Sequence, residues 1–361
     1  MLPTLNLSTL PPLTNSVQLH HAPQPSLNKR KLFHWLPDGT LQLRLDWSSL
    51  ETFLGCNRSA LFRLVHARSS PPGSALIFGA AMHAALEVWY KERTTVPPTV
   101  LLPRCFAAIQ LAYTENPNVP INDYRTADYC YESFCRYVNE YSAESLAPII
   151  HNDIPLIEFS FSYPIGKTSL PSDCFAQWEF GTLTNSVEKE RAYPAGSVIP
   201  VSIEWTGISD MLCSLNGNNY ILDHKTTSIL SQDFFDGFAI AHQPVGYVAA
   251  CRAAFPELDI KGFIVNVIAC RKPTKTGKAF ETHRAVYNYD DWTITEWKAD
   301  TLALVSEFIH NLTSQFFPKK TQWCVGKYGK CRYFNTCALP PQYRDADLGS
   351  DNYVDNTWKP V

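Results

Sequence analysis

Three residues close together in the sequence carry the clearest chemical signal. Asp210, Asp223 and Lys225 lie on either side of Asn216-Gly217-Asn218, which separates the apolar runs Met211-Leu212 and Tyr220-Ile221-Leu222. Asn-Gly between two strand-like runs is a strong short-range hairpin signal. Residues 201–226 are therefore expected to form a hairpin that brings Asp210 on one arm toward Asp223 on the other. Side chains alternate with a period of two along a strand, so Asp223 and Lys225 share a face. Two carboxylates meeting at one point suit a hard divalent cation such as Mg²⁺, which prefers oxygen ligands and retains several waters. Such a cation lowers the pKa of a bound water and neutralises charge on phosphoryl oxygens. An ammonium beside it orients the attacking water and stabilises a pentavalent transition state. The chemistry implied is phosphodiester hydrolysis. Asp-x-Lys alone is a common tripeptide and reads equally as a surface ion pair. What sets it apart is the ordered series of Gly207-Ile208-Ser209-Asp210, the turn, and Ile221-Leu222-Asp223-His224-Lys225-Thr226-Thr227.

Cysteines form the second chemical group. The chain has 11, an odd number, and three of them, Cys324, Cys331 and Cys337, fall within fourteen residues. In a reducing compartment such thiols are more often buried, catalytic or metal-bound than paired as disulfides. Cys105, Cys130, Cys135, Cys174, Cys213, Cys251 and Cys270 show no ligand-like grouping and read as packing residues. Lys327, Tyr328, Lys330, Arg332 and Tyr333 interleave with the clustered cysteines. Charge and stacking in such a loop could grip single-stranded DNA, and a solvated loop is the plainer alternative.

The elements that must position these groups follow from composition and periodicity. A chain of 361 residues with 45% hydrophobic and 13% aromatic content can bury a large core. Residues 1–30, rich in Pro, Ser, Asn and Thr, read as a flexible arm. Apolar residues at helical spacing then predict helices over 47–67, capped by Asp46, and over 78–93, 103–115 and 127–146. Beyond Asp153, β-branched runs predict strands over 154–165 and the hairpin, then a helix over 235–254 interrupted near Pro244. Strands over 260–269 and 280–288 and a helix over 290–316 complete the series, and residues 340–361, with Asp345, Asp347, Asp351 and Asp355, read as a flexible acidic tail. The expectation is an α/β fold in one domain over 31–339: a helical part (46–150), a catalytic core with a central mixed sheet flanked by helices (154–316), and the cysteine segment (324–337). The helical portion folds back onto that segment.

Other classes are less favoured. A net charge of −3 supplies no basic field for nucleic acid as a whole, although local basic patches suffice beside a carboxylate cluster. No run of about 18 apolar residues spans a bilayer, and the start lacks the pattern of a secretory signal. The cytoplasm of a bacterium or of a phage-infected host cell is the expected location, with no membrane partner. Neither Gly166-Lys167-Thr168 nor Gly277-Lys278 has the upstream glycine of a phosphate-binding loop. With no ATP motor in the chain, any unwinding falls to a helicase, recombinase or single-strand-binding partner.

Over residues 46–337 the sequence resembles the PD-(D/E)xK nucleases of the RecB type, which include the nuclease associated with CRISPR spacer acquisition and phage recombination exonucleases. The resemblance rests on Ser49 to Arg58, Gly79-Ala80-Ala81-Met82-His83, Gly207 to Asp210, Asp223-x-Lys225 and Gln243-x-x-x-Tyr247. It implies a restriction-endonuclease-like core and a DNA substrate, cut with Mg²⁺ or Mn²⁺. By it, His83, Asp210, Asp223 and the backbone carbonyl of His224 hold the metal, Lys225 assists catalysis, and Gln243 and Tyr247 contact DNA. Glu158 stands where family members often carry an acidic residue and completes the site through water. Pro244 fits only the first turn of a helix, so that helix is expected to begin at Gln243. The resemblance also implies a four-iron four-sulfur cluster on Cys56, Cys324, Cys331 and Cys337, although the six residues between Cys324 and Cys331 exceed the usual two. Zinc on the same thiolates and unliganded thiols are the alternatives. For the whole chain, an exonuclease is the leading function. A catalytically silent nuclease fold used for DNA binding or assembly and a defence-system endonuclease are the competing ones.

Overall fold

The structure, a computed structural model, describes residues 18–20, 32–36, 40–116, 122–174, 196–274, 277–326 and 329–355. Three short strands come first: β1 (Gln18–His20), β2 (Phe33–Trp35) and β3 (Leu41–Leu45). Along β3 buried and half-buried residues alternate, as a strand with one face on a core requires. Asp46 then caps α1 (Trp47–Gly55), accepting from the Ser49 N–H at 2.9 Å. The single helix expected over 47–67 is broken at Cys56, whose backbone is extended (φ −163°, ψ 122°), and resumes as Asn57–Ala60 followed by a π-turn over Leu61–Val65. Three helices follow: α2 (Ser74–Glu92), α3 (Pro98–Thr114) and α4 (Ala127–Glu140).

The sheet proper consists of β4 (Ile157–Pro171), β5 (Val198–Leu215), β6 (Asn218–Thr227), β7 (Ile260–Cys270) and β8 (Phe280–Asn288). Strand order is β1-β4-β5-β6-β7-β8, with β3 attached to β5 and β2 to β3. Pairs β4–β5, β5–β6 and β7–β8 are antiparallel, whereas β6–β7 and β3–β5 are parallel. The α/β fold with a mixed central sheet is thus as expected. The turn between β5 and β6 falls at Asn216 and Gly217, both at positive φ, where Asn and Gly are the least strained residues. A parallel pair needs a crossover, and α5 (Gln232–Asp236) and α6 (His242–Ala254) supply it. Gln243 and Pro244 lie in the first turn of α6, where proline is tolerated. The chain continues with α7 (Asp291–Thr313), α8 (Phe334–Ala338) and α9 (Pro341–Leu348).

One face of the sheet packs on α6 and α7 through Phe161, Trp205, Tyr247 and Trp297, and the other packs on α2–α4 through Met82, Tyr137, Met211 and Ile264. Covered on both sides, β7 is apolar almost throughout rather than alternating. Among the described residues no helix is long and apolar enough to cross a membrane.

Both terminal expectations need correction. Within the arm, Gln18–His20 pairs with Ser160–Ser162 of β4, and the rest of residues 1–30 lies outside the described residues. The acidic stretch after 340 is folded as far as it is described. Leu348 and Tyr353 are buried, and Tyr353 stacks on Tyr333 at 5.5 Å between ring centroids. Arg68 donates to the carbonyls of Leu348 and Tyr353 at 2.7 and 3.0 Å. Two apolar anchors among the aspartates are enough to dock the segment; composition averages them away.

Helix α6 carries Gln243 and Tyr247 and lies close enough to the sheet that a Cβ on Gly246 would come within 2.6 Å of ring atoms of both Trp205 and Trp297. Gly246→Ala is therefore expected to cost about 1–3 kcal/mol, seen as a lower urea midpoint at unchanged slope. An unchanged midpoint would mean that the helix moves outward freely.

Candidate active site

The site is built where the sheet's hydrogen-bond ladder fails. Pairing of β5 with β6 ends at Met211–Leu222, and β4 pairs with β5 at Ile157–Met211 and again at Phe159–Ser209. Asp210 and Glu158 lie in the gap. The alternation of faces slips at the same point. Leu156, Phe159, Phe161 and Leu212 belong to the core under α6, whereas Ile157, Met211 and Cys213 belong to the core under α2. Strict alternation would have put residues 157 and 159 on one face. Glu158 absorbs the slip with φ +48°, an uncommon conformation for a residue with a Cβ, costing roughly 1–3 kcal/mol. The Asp210 carboxylate then replaces the missing ladder partner, accepting the His224 N–H at 2.6 Å. A strand residue points its N–H and C=O to the same edge, so the His224 carbonyl also faces this gap.

Helix α2 brings His83 to the gap. Gly79, one turn earlier, allows the approach, because a Cβ there would sit 3.1 Å from Thr226 Oγ1. His83 Nδ1 lies 3.3 Å from Asp210 Oδ2. His83, Glu158 and Asp210 each offer a ligand atom, and these atoms lie within 4.8 Å of one another. Glu158, assigned from sequence to a role through water, belongs to this tight group directly. Asp223 faces Lys225 instead, with Nζ 2.7 Å from Oδ2. Lys225 also donates to Gln243 Oε1 at 3.2 Å. Tyr247 is only 6% exposed, with its ring edge-on to Phe161 at 5.0 Å. The ring expected to meet DNA is thus packed in the core.

Burial and charge set the protonation of the group. Burial opposes a charge on His83, but Asp210, with help from Glu158 and Asp223, raises its pKa to about 9. Burial, and then repulsion by Asp210, lifts Glu158 to about 8. Burial would raise Asp210 too, yet His83 and the His224 N–H hold it well below the usual carboxylate range. Asp223 is raised by burial, with Lys225 opposing and Asp210 adding to the effect. Burial disfavours charge on Lys225, and Asp223 outweighs it, so the ammonium is retained. His224 is driven down to about 3 by burial and its ring is neutral. Burial thus leaves Glu158 and Asp223 with raised proton affinity while Asp210 stays ionised beside protonated His83, and a group this acidic and this close-set meets the electrostatic condition for taking up a cation.

A family model for the PD-(D/E)XK nuclease superfamily matches residues 44–338. The chain belongs to this superfamily. The matched span contains the whole of the site described above. Among solved structures, a candidate exonuclease from Eubacterium rectale is similar at 11% identity, covering 85% of this chain and 93% of that one, with a TM-score of 0.41. The structure of SSO0001 is similar at 10% identity, covering 65% and 77%, with a TM-score of 0.19. Likenesses this distant say nothing of the site. No curated protein matches the chain.

The cysteine group also joins distant parts of the chain. Cys56, at the break after α1, and Cys324, Cys331 and Cys337 line one cavity of about 530 Å³, together with Arg63 and Lys320. The Cys331 N–H donates to the Cys324 carbonyl and the Cys337 N–H to the Tyr333 carbonyl, both at 2.9 Å. No three of the four sulfurs lie within 4.8 Å of one another. Of the basic and aromatic residues between these cysteines, Lys330, Arg332 and Tyr333 are described, and Lys327 and Tyr328 lie outside the described residues. Tyr333 is buried.

A divalent cation entering the carboxylate group must displace the protons that His83 holds up to about pH 9 and Glu158 up to about pH 8. Affinity for Mn²⁺ is therefore expected to rise as pH increases from about 6 to about 8, with net proton release seen by calorimetry in buffers of different ionisation enthalpy. Affinity that stays flat over that range contradicts the assignment of these ligands.

Proposed function

We propose that this superfamily member is a divalent-cation-dependent deoxyribonuclease that hydrolyses phosphodiester bonds at DNA ends during recombination, repair or phage replication. One observation carries the reading: His83, Glu158 and Asp210 converge within 4.8 Å, next to a Lys225–Asp223 pair at 2.7 Å. Such a convergence of acid, imidazole and ammonium serves no packing purpose, and burying carboxylates without a cation is costly.

In this reading His83, Asp210, Asp223 and the His224 carbonyl hold Mg²⁺ or Mn²⁺, and Glu158 adds a further oxygen. The bound cation supplies Lewis acidity toward the scissile phosphate and lowers the pKa of water. Lys225 keeps its proton through Asp223 and orients the nucleophile while countering charge on the phosphoryl oxygens. Gln243 fixes the direction of the Lys225 ammonium from the first turn of α6. Tyr247 acts from beneath as a support for that turn rather than as a stacking surface for DNA. Action at ends is favoured over a sequence-specific defence endonuclease because the sequence holds no recognisable DNA-reading motif. A silent DNA-binding module has no use for this acidic group beside phosphates.

Cys56, Cys324, Cys331 and Cys337 would hold a four-iron four-sulfur cluster, which staples the segment after α7 to the end of α1. The convergence of these four thiols on one cavity supports a bound inorganic group there. Protein prepared without oxygen is expected to carry about four iron atoms and matching acid-labile sulfide. Cys331→Ser should lose both and lower the melting temperature; zinc at one per chain would contradict it.

Cleavage of end-labelled DNA in Mg²⁺ or Mn²⁺ tests the activity. Asp223→Ala and Lys225→Ala are each expected to lower kcat by about 10²-fold or more while DNA binding persists, and EDTA should abolish cutting. Unaltered cleavage by either variant overturns the catalytic assignment.

A further inference from the structure

Behind the carboxylate group lies a buried polar network that no motif singled out. Asn266 on β7 is fully buried and touches three partners. Its Oδ1 accepts from Arg284 Nε at 2.7 Å. Its Nδ2 lies 2.6 Å from His224 Nδ1 and donates to the Tyr137 hydroxyl at 3.1 Å.

These contacts fix the direction of the hydrogen bonds in turn. A guanidinium can only donate, so the amide oxygen must face Arg284 and the amide nitrogen must face His224. His224 Nδ1 therefore accepts, and the imidazole proton resides on Nε2. Tyr137 receives hydrogen bonds from Asn266 and from Arg284 Nη2, the latter at 2.8 Å, which occupies its lone pairs. Its own proton goes to the Tyr90 hydroxyl at 2.7 Å. Tyr90 then donates to Glu144 Oε1 at 2.9 Å. Glu144 is held in addition by Arg93 at 2.6 Å and by Arg284. His224 is also packed against the Tyr90 ring, 5.7 Å away and nearly parallel.

The network joins two things the site needs. His224 is the residue whose N–H orients Asp210 and whose carbonyl faces the gap. Tyr90 sits about two turns beyond His83 on the same helix. Holding His224 and Tyr90 to one set of hydrogen bonds fixes α2, and with it His83, relative to Asp210. We infer that Asn266, with Arg284, Tyr90, Tyr137 and Glu144, is a positioning network that sets the spacing of the metal-binding group across the helix–sheet boundary. The inference rests on the proposed cation site at His83, Glu158 and Asp210.

Mn²⁺ binding followed by electron paramagnetic resonance tests it without reference to cleavage. Asn266→Leu is expected to weaken Mn²⁺ binding about 10- to 100-fold, and to lower kcat with KM for DNA within about twofold. Asn266→Asp should recover most of the loss, because a carboxylate still accepts from Arg284 and can hold the ring through an Nδ1–H tautomer. Leu348→Ala, which loosens the C-terminal segment instead, should leave Mn²⁺ binding unchanged. Wild-type Mn²⁺ affinity in folded Asn266→Leu overturns the inference. Should that variant not fold, Tyr90→Phe and Tyr137→Phe decide: weaker Mn²⁺ binding supports the network and unchanged binding in both refutes it. A wild-type protein that binds Mn²⁺ yet leaves DNA intact speaks against the nuclease reading alone, and the affinity ratios still judge the network.

Discussion

The bond from the His224 N–H to the Asp210 carboxylate, 2.6 Å long, is the interaction on which the rest of the site depends. A buried backbone donor must be satisfied, and at this place the neighbouring strand no longer offers a carbonyl. Supplying a side-chain oxygen there solves the ladder's problem and at once fixes an acid where β4, β5 and β6 part. The positive φ at Glu158 belongs to the same solution, since it turns a second acid into the gap without shifting the pairing on either side. Small residues on α2 admit the helix, and His83 arrives beside both acids.

Charge sets the second constraint. Glu158, Asp210 and Asp223 are close enough to raise the proton affinity of His83, and Asp210, itself kept ionised, adds to the rise that burial causes at Glu158 and Asp223. Lys225 answers only Asp223 directly. Such a group is costly to bury unless something positive shares it; protonated His83 and Lys225 do so here, and a bound cation would take the place of the protons on His83 and Glu158. The ring of polar residues around His224 does the opposite work: Asn266, Tyr137 and Tyr90 each have their donors and acceptors matched, so it is stiff where the acidic group is demanding.

How far the site could be read from the sequence follows from how local each signal is. The β5–β6 hairpin was legible because Asn216 and Gly217 fix the turn within a few residues, and the spacing of Asp223 and Lys225 then places both on one face. His83 and Glu158 lie on separate elements, so only the ordered series of family motifs connected them to the hairpin. Nothing in spacing could reveal the slip in alternation at residues 158 and 210, which is a property of two strands together. Asn266, Arg284, Tyr90, Tyr137 and Glu144 were invisible for the same reason: β7, β8, α2, α4 and the loop after α4 each contribute to the network. The C-terminal stretch was misread because four aspartates outweighed Leu348 and Tyr353 in composition, whereas burial of those two decides the structure.

Anomalous diffraction from crystals soaked in Mn²⁺ tests the central claim most directly. The account predicts a peak at bonding distance from His83, Asp210 and the His224 carbonyl, with Asp223 or Glu158 completing the shell. A peak elsewhere, in protein that cleaves DNA under the same conditions, would contradict it.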